Sequence, residues 1–295
     1  MGEVVMVFID ELMSFCISEE AQYPDCIICT HPSEACSGGC QACLDHVHFF
    51  KPDAGKRVDY DCEKLLFCYV QKYGQRYKNN ICTALQNIDL DKYSFFNILS
   101  IGCGAAPDLM AIEEIVNEKT VFYEGYDKNI RWKRIHNFIE CYSKNTVNIT
   151  TIFRQEDIFD VFAKNKLEQN SYNVVVIQYL ISHLFNTGQN DRINELYTGL
   201  INNVVSCWDS QTPFLIIIND IDTIHKGRNF FCMLLDVLED NDYSGKATAY
   251  SAHPDGDLGE TRWGGKKNRS GNIEYTYKTQ PSGFEGAGLL IELRR

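Results

Sequence analysis

The chain is short of positive charge. Its 295 residues carry 28 Lys and Arg against 40 Asp and Glu, a formal net charge of −12 at pH 7. Tight, unaided binding to nucleic acid needs a basic footprint, so the whole-chain charge argues against that function. The one notable basic stretch, "RWGGKKNRSGN" with Arg262, Lys266, Lys267 and Arg269, reads first as a solvated loop. Long hydrophobic runs are also missing, and no segment approaches the length of a membrane span. The opening "MGEVVMVFIDELMSF" has Glu3 and Asp10 but no Lys or Arg. It therefore lacks the basic start of a secretory signal. Its sixth residue, Met6, is not the Ser or Thr of a myristoylation signal. The expectation from these absences is a cytoplasmic protein with no membrane partner. There is no internal repeat and no low-complexity linker.

Cysteine, by contrast, is plentiful: there are 13. Five fall within "CIICTHPSEACSGGCQAC", as Cys26, Cys29, Cys36, Cys40 and Cys43. An odd number in a reducing compartment speaks against a disulfide framework and for metal. Cys26-x2-Cys29 and Cys40-x2-Cys43 form two knuckles that can give four thiolates to a tetrahedral zinc, at a separation a little shorter than the usual ribbon. Cys36, His46 and His48 are alternative ligands. Such a site would fold a segment rich in Gly, Pro, Ser and Asp, which otherwise reads as loop. It could also offer a docking surface to a partner protein. Cys36, Cys40 and Cys43 additionally match C-x3-C-x2-C, the cluster spacing of radical iron–sulfur enzymes, although Ala42 stands where that motif often has an aromatic residue. Cys68, Cys207 and Cys232 sit in apolar helical stretches and read as core.

Residues 4–19 have helical spacing, with Val5, Phe8, Leu12 and Phe15 or Cys16 on one face. Residues 60–78 resume it, with a stripe at Tyr60, Phe67, Tyr69, Tyr73 and Tyr77 that is expected to be core. From about residue 91, strands alternate with helices. "FFNILSIG", "VFYEGYD", "TVNITTIFRQED", "YNVVVIQYL" and "PFLIIIND" read as strands. "DLMAIEEIVNEK", "IRWKRIHNFIECYSK", "INELYTGLINNVVSCW" and "NFFCMLLDVLED" read as helices. Strands apolar on both faces, separated by helices, predict a parallel sheet covered on both sides. The tail, "ATAYSAH", "IEYTYKTQ" and "GLLIELRR", predicts further strands with an antiparallel pair at one edge.

The first strand ends in "LSIGCGAAPD", a glycine turn that opens a helix and lets a nucleotide approach the backbone. The nicotinamide fingerprint fails, because its third glycine would fall at Pro107. The second strand ends at Asp127, 23 positions after Gly104, where a carboxylate can accept both hydroxyls of a ribose. The third ends at Glu156 and Asp157, over the same edge of the sheet.

A glycine turn and two acidic strand ends, followed by "YNVVVIQYLISHLF", resemble the class I S-adenosylmethionine-dependent methyltransferases over roughly residues 91–240. The resemblance implies an α/β fold. Its core would be a doubly wound, mostly parallel seven-stranded sheet over 91–295, with a helical, cysteine-rich extension over 1–90. It also implies roles. Gly102 and Gly104 would line the methionine and ribose part of the cofactor, and Asp127 would hold the ribose hydroxyls. Asp157 and the backbone of Ile158 would meet the adenine. Gln178 and Tyr179 would face the methyl group. The chain departs from the family at Ser100, where an acidic residue is common, and Asp108 would replace that carboxylate. It departs again at Ala106 in place of Gly and at Asn173 in place of Asp. Tyr179, His183 and Asp220, at or just past strand ends, are candidates to take a proton from an acceptor that carries one. The signature of amino-methylating DNA enzymes is absent, so DNA is disfavoured. The acceptor is left open among small molecules, proteins and RNA. Two further readings stay open: a non-catalytic interaction protein on this fold, and an iron–sulfur or radical enzyme.

Overall fold

The computed structural model describes residues 8–22, 39–48, 60–116, 119–167, 171–222, 227–251, 271–280, 282 and 284–294. Cys26, Cys29 and Cys36 of the expected zinc site, and Arg262, Lys266, Lys267 and Arg269 of the basic stretch, lie outside them. In chain order the strands are β1 (Phe95–Ile101), β2 (Thr120–Tyr126), β3 (Ile149–Arg154), β4 (Val174–Gln178), β5 (Phe214–Asp220), β6 (Ser244–Ser251), β7 (Ile273–Thr279) and β8 (Ala287–Arg294). The helices are α1 (Phe8–Gln22), α2 (Gly39–His48), α3 (Glu63–Leu85), α4 (Pro107–Ile115), α5 (Lys133–Ser143), α6 (Ile158–Ala163), α7 (Leu180–Asn186), α8 (Asp191–Asn203) and α9 (Phe231–Asp240).

The strands form one sheet in the order β3-β2-β1-β4-β5-β8-β6-β7. Alternation along each strand divides the side chains between two cores. Ile98, Val174, Val176, Leu215 and Ile217 pack under α1, α3, α4 and α5. Their neighbours Leu99, Val175, Ile177, Ile216 and Ile218 pack under α6, α7, α8 and α9. The apolar runs of β4 and β5 are thus the mark of strands buried on both faces, as expected.

The sheet has eight strands rather than seven, and its end is arranged differently from the expectation. The strand β8 runs antiparallel between β5 and β6, pairing with both. The extra strand, β7, lies parallel to β6 at the edge. Along "IEYTYKT" Ile273 is buried while Glu274, Thr276, Lys278 and Thr279 are exposed, a polar pattern suited to an edge.

The N-terminal helices share a core with the sheet. The Phe8 ring stacks on Tyr142 at 4.0 Å and Phe15 on Phe138 at 4.3 Å, fixing α1 against α5. Leu66, Phe67 and Val70 carry α3 into the same cluster as Phe96 and Ile98. The end of the cysteine stretch is helix rather than loop, because Cys43, Leu44 and Val47 give one buried helical face. They pack with Leu65, Tyr73 and Tyr77 of α3. No helix among the described residues is long and apolar enough to cross a membrane.

Candidate functional site

The strand order reverses between β1 and β4, the place where open α/β sheets leave a crevice at their carboxyl ends. There a cavity of about 1140 Å³ lies between the strand ends and the tyrosine face of α3. A smaller one of about 30 Å³ adjoins it at the glycine turn. Gly102, Gly104, Asp127, Asp157, Ile158, Gln178, Tyr179 and His183 line the larger cavity. Ser100 and Asp108 line the smaller one, which shares Gly102, Gly104 and Gln178 with it. Ten residues chosen from sequence for cofactor and catalysis are therefore brought together.

The turn itself needs glycine. The backbone is left-handed at Gly102 (φ 67°) and Gly104 (φ 50°). Ala106, just before α4, is left-handed too (φ 51°), a conformation that glycine adopts more easily than alanine. Pro107 opens α4 at a position where no backbone N–H is needed. The amides of Gly102 and Cys103 both donate to the Tyr126 carbonyl, at 2.8 and 3.1 Å, tying the turn to the end of β2.

The Asp127 carboxylate organises the site. It accepts from the backbone N–H of Gly104 at 3.0 Å and of Asn129 at 2.8 Å. Burial raises its carboxyl to about 6, against the pull of those two bonds. His136 buttresses the turn from behind. Its Nε2 donates to the Gly104 carbonyl at 2.7 Å, its Nδ1 accepts from Gln155 at 3.3 Å, and its ring stacks on Phe153 at 4.1 Å. Burial lowers the imidazole to about 4, so it is neutral at physiological pH.

Asp108 is fully buried under the turn. Tyr123 donates to both its oxygens, at 3.0 and 3.2 Å. Burial raises it to about 6, opposed by hydrogen bonds from Ser100 and Tyr123. Asp157 caps α6, accepting from the Phe159 N–H at 3.1 Å. Arg192 sits 3.5 Å from its other oxygen and lies 3.6 Å over the Phe159 ring.

At the end of β4, Gln178 donates to the Tyr77 carbonyl at 3.1 Å, while its Oε1 is buried with no hydrogen-bond partner. Tyr179 is left-handed (φ 55°) and begins α7. Its hydroxyl is fully engaged, accepting from Asn80 Nδ2 at 2.9 Å and donating to the Glu285 carbonyl at 3.2 Å. Burial pushes its phenol far above the ordinary range. This geometry suits a positioning role better than proton transfer. Asp220 is turned inward to the N–H groups of Ser182 and Ile221, and burial raises it to about 6. Of the three proton-transfer candidates, Tyr179 and His183 line the cavity, and His183 is the one that brings an imidazole to its wall.

Phe67, Tyr73 and Tyr77 are buried in core clusters as expected, and Tyr69, Tyr73 and Tyr77, four residues apart on α3, also line the cavity with Tyr60. Periodicity gave the helical face correctly; what lies opposite it is a tertiary fact. Asn80, His136 and Trp132 were not singled out from sequence. Their roles come from partners 28 or more residues away in the chain (Glu285, Gly104 and Gly104), and no local signal marks them.

Among the described residues no group of three or more His, Cys, Asp or Glu converges as a metal site. The sulfur of Cys43 lies in the apolar cluster between α2 and α3.

No family model matches the chain, and no curated protein matches it. Solved structures that it resembles include the plantazolicin methyltransferase BpumL in complex with SAH, at 14% identity and a TM-score of 0.41, covering 97% of this chain and 100% of that one. Another is a SAM-dependent methyltransferase from Archaeoglobus fulgidus, at 14% identity and a TM-score of 0.43, covering 80% of this chain and 100% of that one. A third is a SAM-dependent methyltransferase from Leishmania major, at 7% identity and a TM-score of 0.44, covering 88% and 84%. Likenesses of this size do not carry the argument for an activity, which rests on the site.

Proposed function

We propose that the chain transfers a methyl group from S-adenosylmethionine to an acceptor held beneath α3, with residues 1–90 serving as a cap on the 91–295 methyltransferase domain. The observation that carries this reading is Asp127: a half-buried carboxylate, fixed by two backbone N–H groups at the end of β2, on the wall of the cavity entered by the left-handed glycine turn. A carboxylate has about four acceptor positions, so two remain for a pair of hydroxyls. The cavity also exceeds the roughly 300–1,000 Å³ of a single small-ligand pocket, leaving room for cofactor and acceptor together.

In this reading Gly102 and Gly104 line the methionine and ribose part of the cofactor and Asp127 takes the ribose hydroxyls. Asp157 and the backbone of Ile158 meet the adenine. Ser100 and Asp108 lie by the amino group, and Gln178 offers its unpartnered oxygen nearby. The cofactor, when bound, supplies a methyl group already activated on a sulfonium. What the chain supplies is alignment, which can account for most of the acceleration of such a transfer. Gln178 and Tyr179 shape the wall past which the acceptor must approach. His183 takes a proton where the acceptor has one to lose.

Isothermal titration of S-adenosylmethionine and S-adenosylhomocysteine into the purified chain tests the reading. Micromolar binding is expected, weakened roughly ten- to a hundredfold in Asp127→Ala, the scale of losing hydrogen bonds to a charged group. No binding by the parent chain would move the assignment to a docking protein on this fold. Zinc at the cysteine stretch rests on its spacing alone. A metal assay and a visible spectrum of the same sample decide it: stoichiometric zinc keeps the structural site, and a brown protein would favour an iron–sulfur cluster.

A further inference from the structure

The part of the cavity away from Asp127 has a composition of its own. His48, Tyr73, Tyr77 and Tyr179 form a column of near-parallel rings, with successive centroids 4.9, 5.5 and 4.0 Å apart and interplanar angles of 9°, 10° and 24°. Tyr73 and Tyr77 each have ring neighbours on both sides. Arg76 lies 5.2 and 5.4 Å from their centroids, and Lys72 lies 5.3 Å from that of Tyr73. With their faces so occupied, what Tyr73 and Tyr77 have left to offer an incoming ring is their edges. The edge of an aromatic ring is its positive part, and it attracts the face of another ring.

Charge at this wall has the same sign. Arg76 and Lys72 line the cavity. Their acidic partners, Glu285 for Arg76 and Asp45 for Lys72, are about half exposed or more on the outside. Exposed pairs of this kind are weak and screened by solvent, so the cavity side of the wall stays positive. His48, within this end, is held neutral down to about 4, by burial and by Lys72 and Arg76. Three of the cavity's carboxylates, Asp127, Glu156 and Asp157, come from the opposite end, at β2 and β3, where Lys128 and Arg131 also line it, and a fourth, Asp61, follows Tyr60, whose hydroxyl bonds His48 at 2.8 Å.

We infer that this end takes a small aromatic acceptor bearing an anionic oxygen, a carboxylate or an acidic phenol. The inference rests on the methyl-transfer reading for its chemistry but on the wall alone for its binding. An anionic oxygen gives its lone pair to the methyl carbon as the carbon–sulfur bond breaks. Sulfur keeps the pair of the broken bond and becomes a neutral thioether. No proton leaves in this step, so it asks no base of the wall, where the Tyr179 hydroxyl is engaged on both sides. An ammonium-bearing acceptor would meet cations where it needs open ring faces.

The test is calorimetry on the full chain, first with S-adenosylhomocysteine, then with benzoate, 4-hydroxybenzoate, benzylamine and cyclohexanecarboxylate, each with and without the first ligand saturating. The aryl carboxylates should bind at least about tenfold tighter than benzylamine or cyclohexanecarboxylate, as loss of one charge contact or one ring contact would give. Arg76→Gln should weaken benzoate by about tenfold and leave S-adenosylhomocysteine unchanged, with Arg76→Lys recovering part of the loss. Glu285→Gln, at an exposed position, should tighten benzoate by freeing Arg76. Benzylamine binding as well as benzoate, or benzoate indifferent to both Arg76→Gln and Glu285→Gln, overturns the inference. If S-adenosylhomocysteine binds and no aryl acid does, the inference falls while methyl transfer stands. If S-adenosylhomocysteine fails to bind, methyl transfer falls, and the benzoate titrations on the unloaded chain still decide the anion site.

Discussion

The raised carboxyl of Asp127 makes cofactor affinity depend on pH in a way that can be worked out. In the unliganded site burial holds it at about 6. Hydroxyls donating into the carboxylate favour its ionised form, so the liganded value falls below the unliganded one. Affinity is then complete well above 6 and is lost as pH falls through it. At pH 7.5 the unliganded group is ionised by about 30 to 1, and at pH 5 it is protonated by about 10 to 1. The binding constant should therefore drop by about tenfold between these pH values. Asp108, also raised to about 6, would add up to another factor of about ten if the cofactor's amino group sits beside it. Calorimetry of S-adenosylhomocysteine at pH 5, 6 and 7.5, in buffers of different ionisation enthalpy, reads both the constant and the protons released. Asp127→Asn turns an amide toward one of the two N–H groups it must accept. That variant should bind at pH 7.5 about as weakly as the parent at pH 5, with a flatter profile. A parent affinity that is level from pH 5 to 7.5, or a variant with the parent's slope, would refute the placement of the ribose on Asp127.

Three further outcomes are expected. Asn80 is fully buried and makes three bonds, from Nδ2 to Tyr179 and to the Glu285 carbonyl and from the Glu285 N–H to Oδ1. Asn80→Ala should cost about 3 kcal/mol in urea unfolding, and a loss under about 1 kcal/mol would show that the loop before β8 is not held there. His136, neutral in the fold with its value lowered to about 4, contributes stability that is complete above about 6.5 and lost as pH falls toward 4. Comparing the parent with His136→Gln at pH 7 and pH 5 should reveal a differential of about 2 kcal/mol, favouring the parent at the higher pH. Gly104→Ala forces a side chain into a left-handed backbone at about 1–2 kcal/mol. Its Cβ would meet Trp132 at an ordinary 3.5 Å, so the variant should fold, melt a few degrees lower and bind S-adenosylhomocysteine much more weakly.

What could be seen in the sequence depended on how local the cause was. The first five strands are buried on both faces or end in a glycine or acidic residue, and those signals lie within a few residues of each other. The turn at Gly102, the acid at Asp127 and the cap at Asp157 belong to the same kind, and all fall on the cavity. The errors have longer-range causes. The stretch around Cys40 was read as loop from its small and polar residues, but Cys43, Leu44 and Val47 find an apolar partner on α3 that makes helix the better state. The tyrosines of α3 were read as core, and Tyr73 and Tyr77 are buried, but periodicity locates a face and did not tell that the same rings line a cavity. The hydroxyl of Tyr179 was read as chemistry, yet Asn80 and Glu285, distant in the chain, occupy it. The place of β8 between β5 and β6 was not legible, because strand spacing does not tell an edge pair from an insertion.

That insertion bears on how the molecule is made. The strands β6 and β7 bond to each other, and among the described residues their only ladder to the first five strands runs through β8, which follows both in the chain. Until the ribosome has delivered β8, β5 and β6 each present an open strand edge. The gap from Ser251 to Ala287 takes on the order of seconds to synthesise. During that time the nascent chain holds two unjoined pieces of sheet, each able to recruit a wrong strand. The final strand is thus the clasp of the fold, and truncation within it should yield chains that aggregate during translation rather than chains with a frayed end.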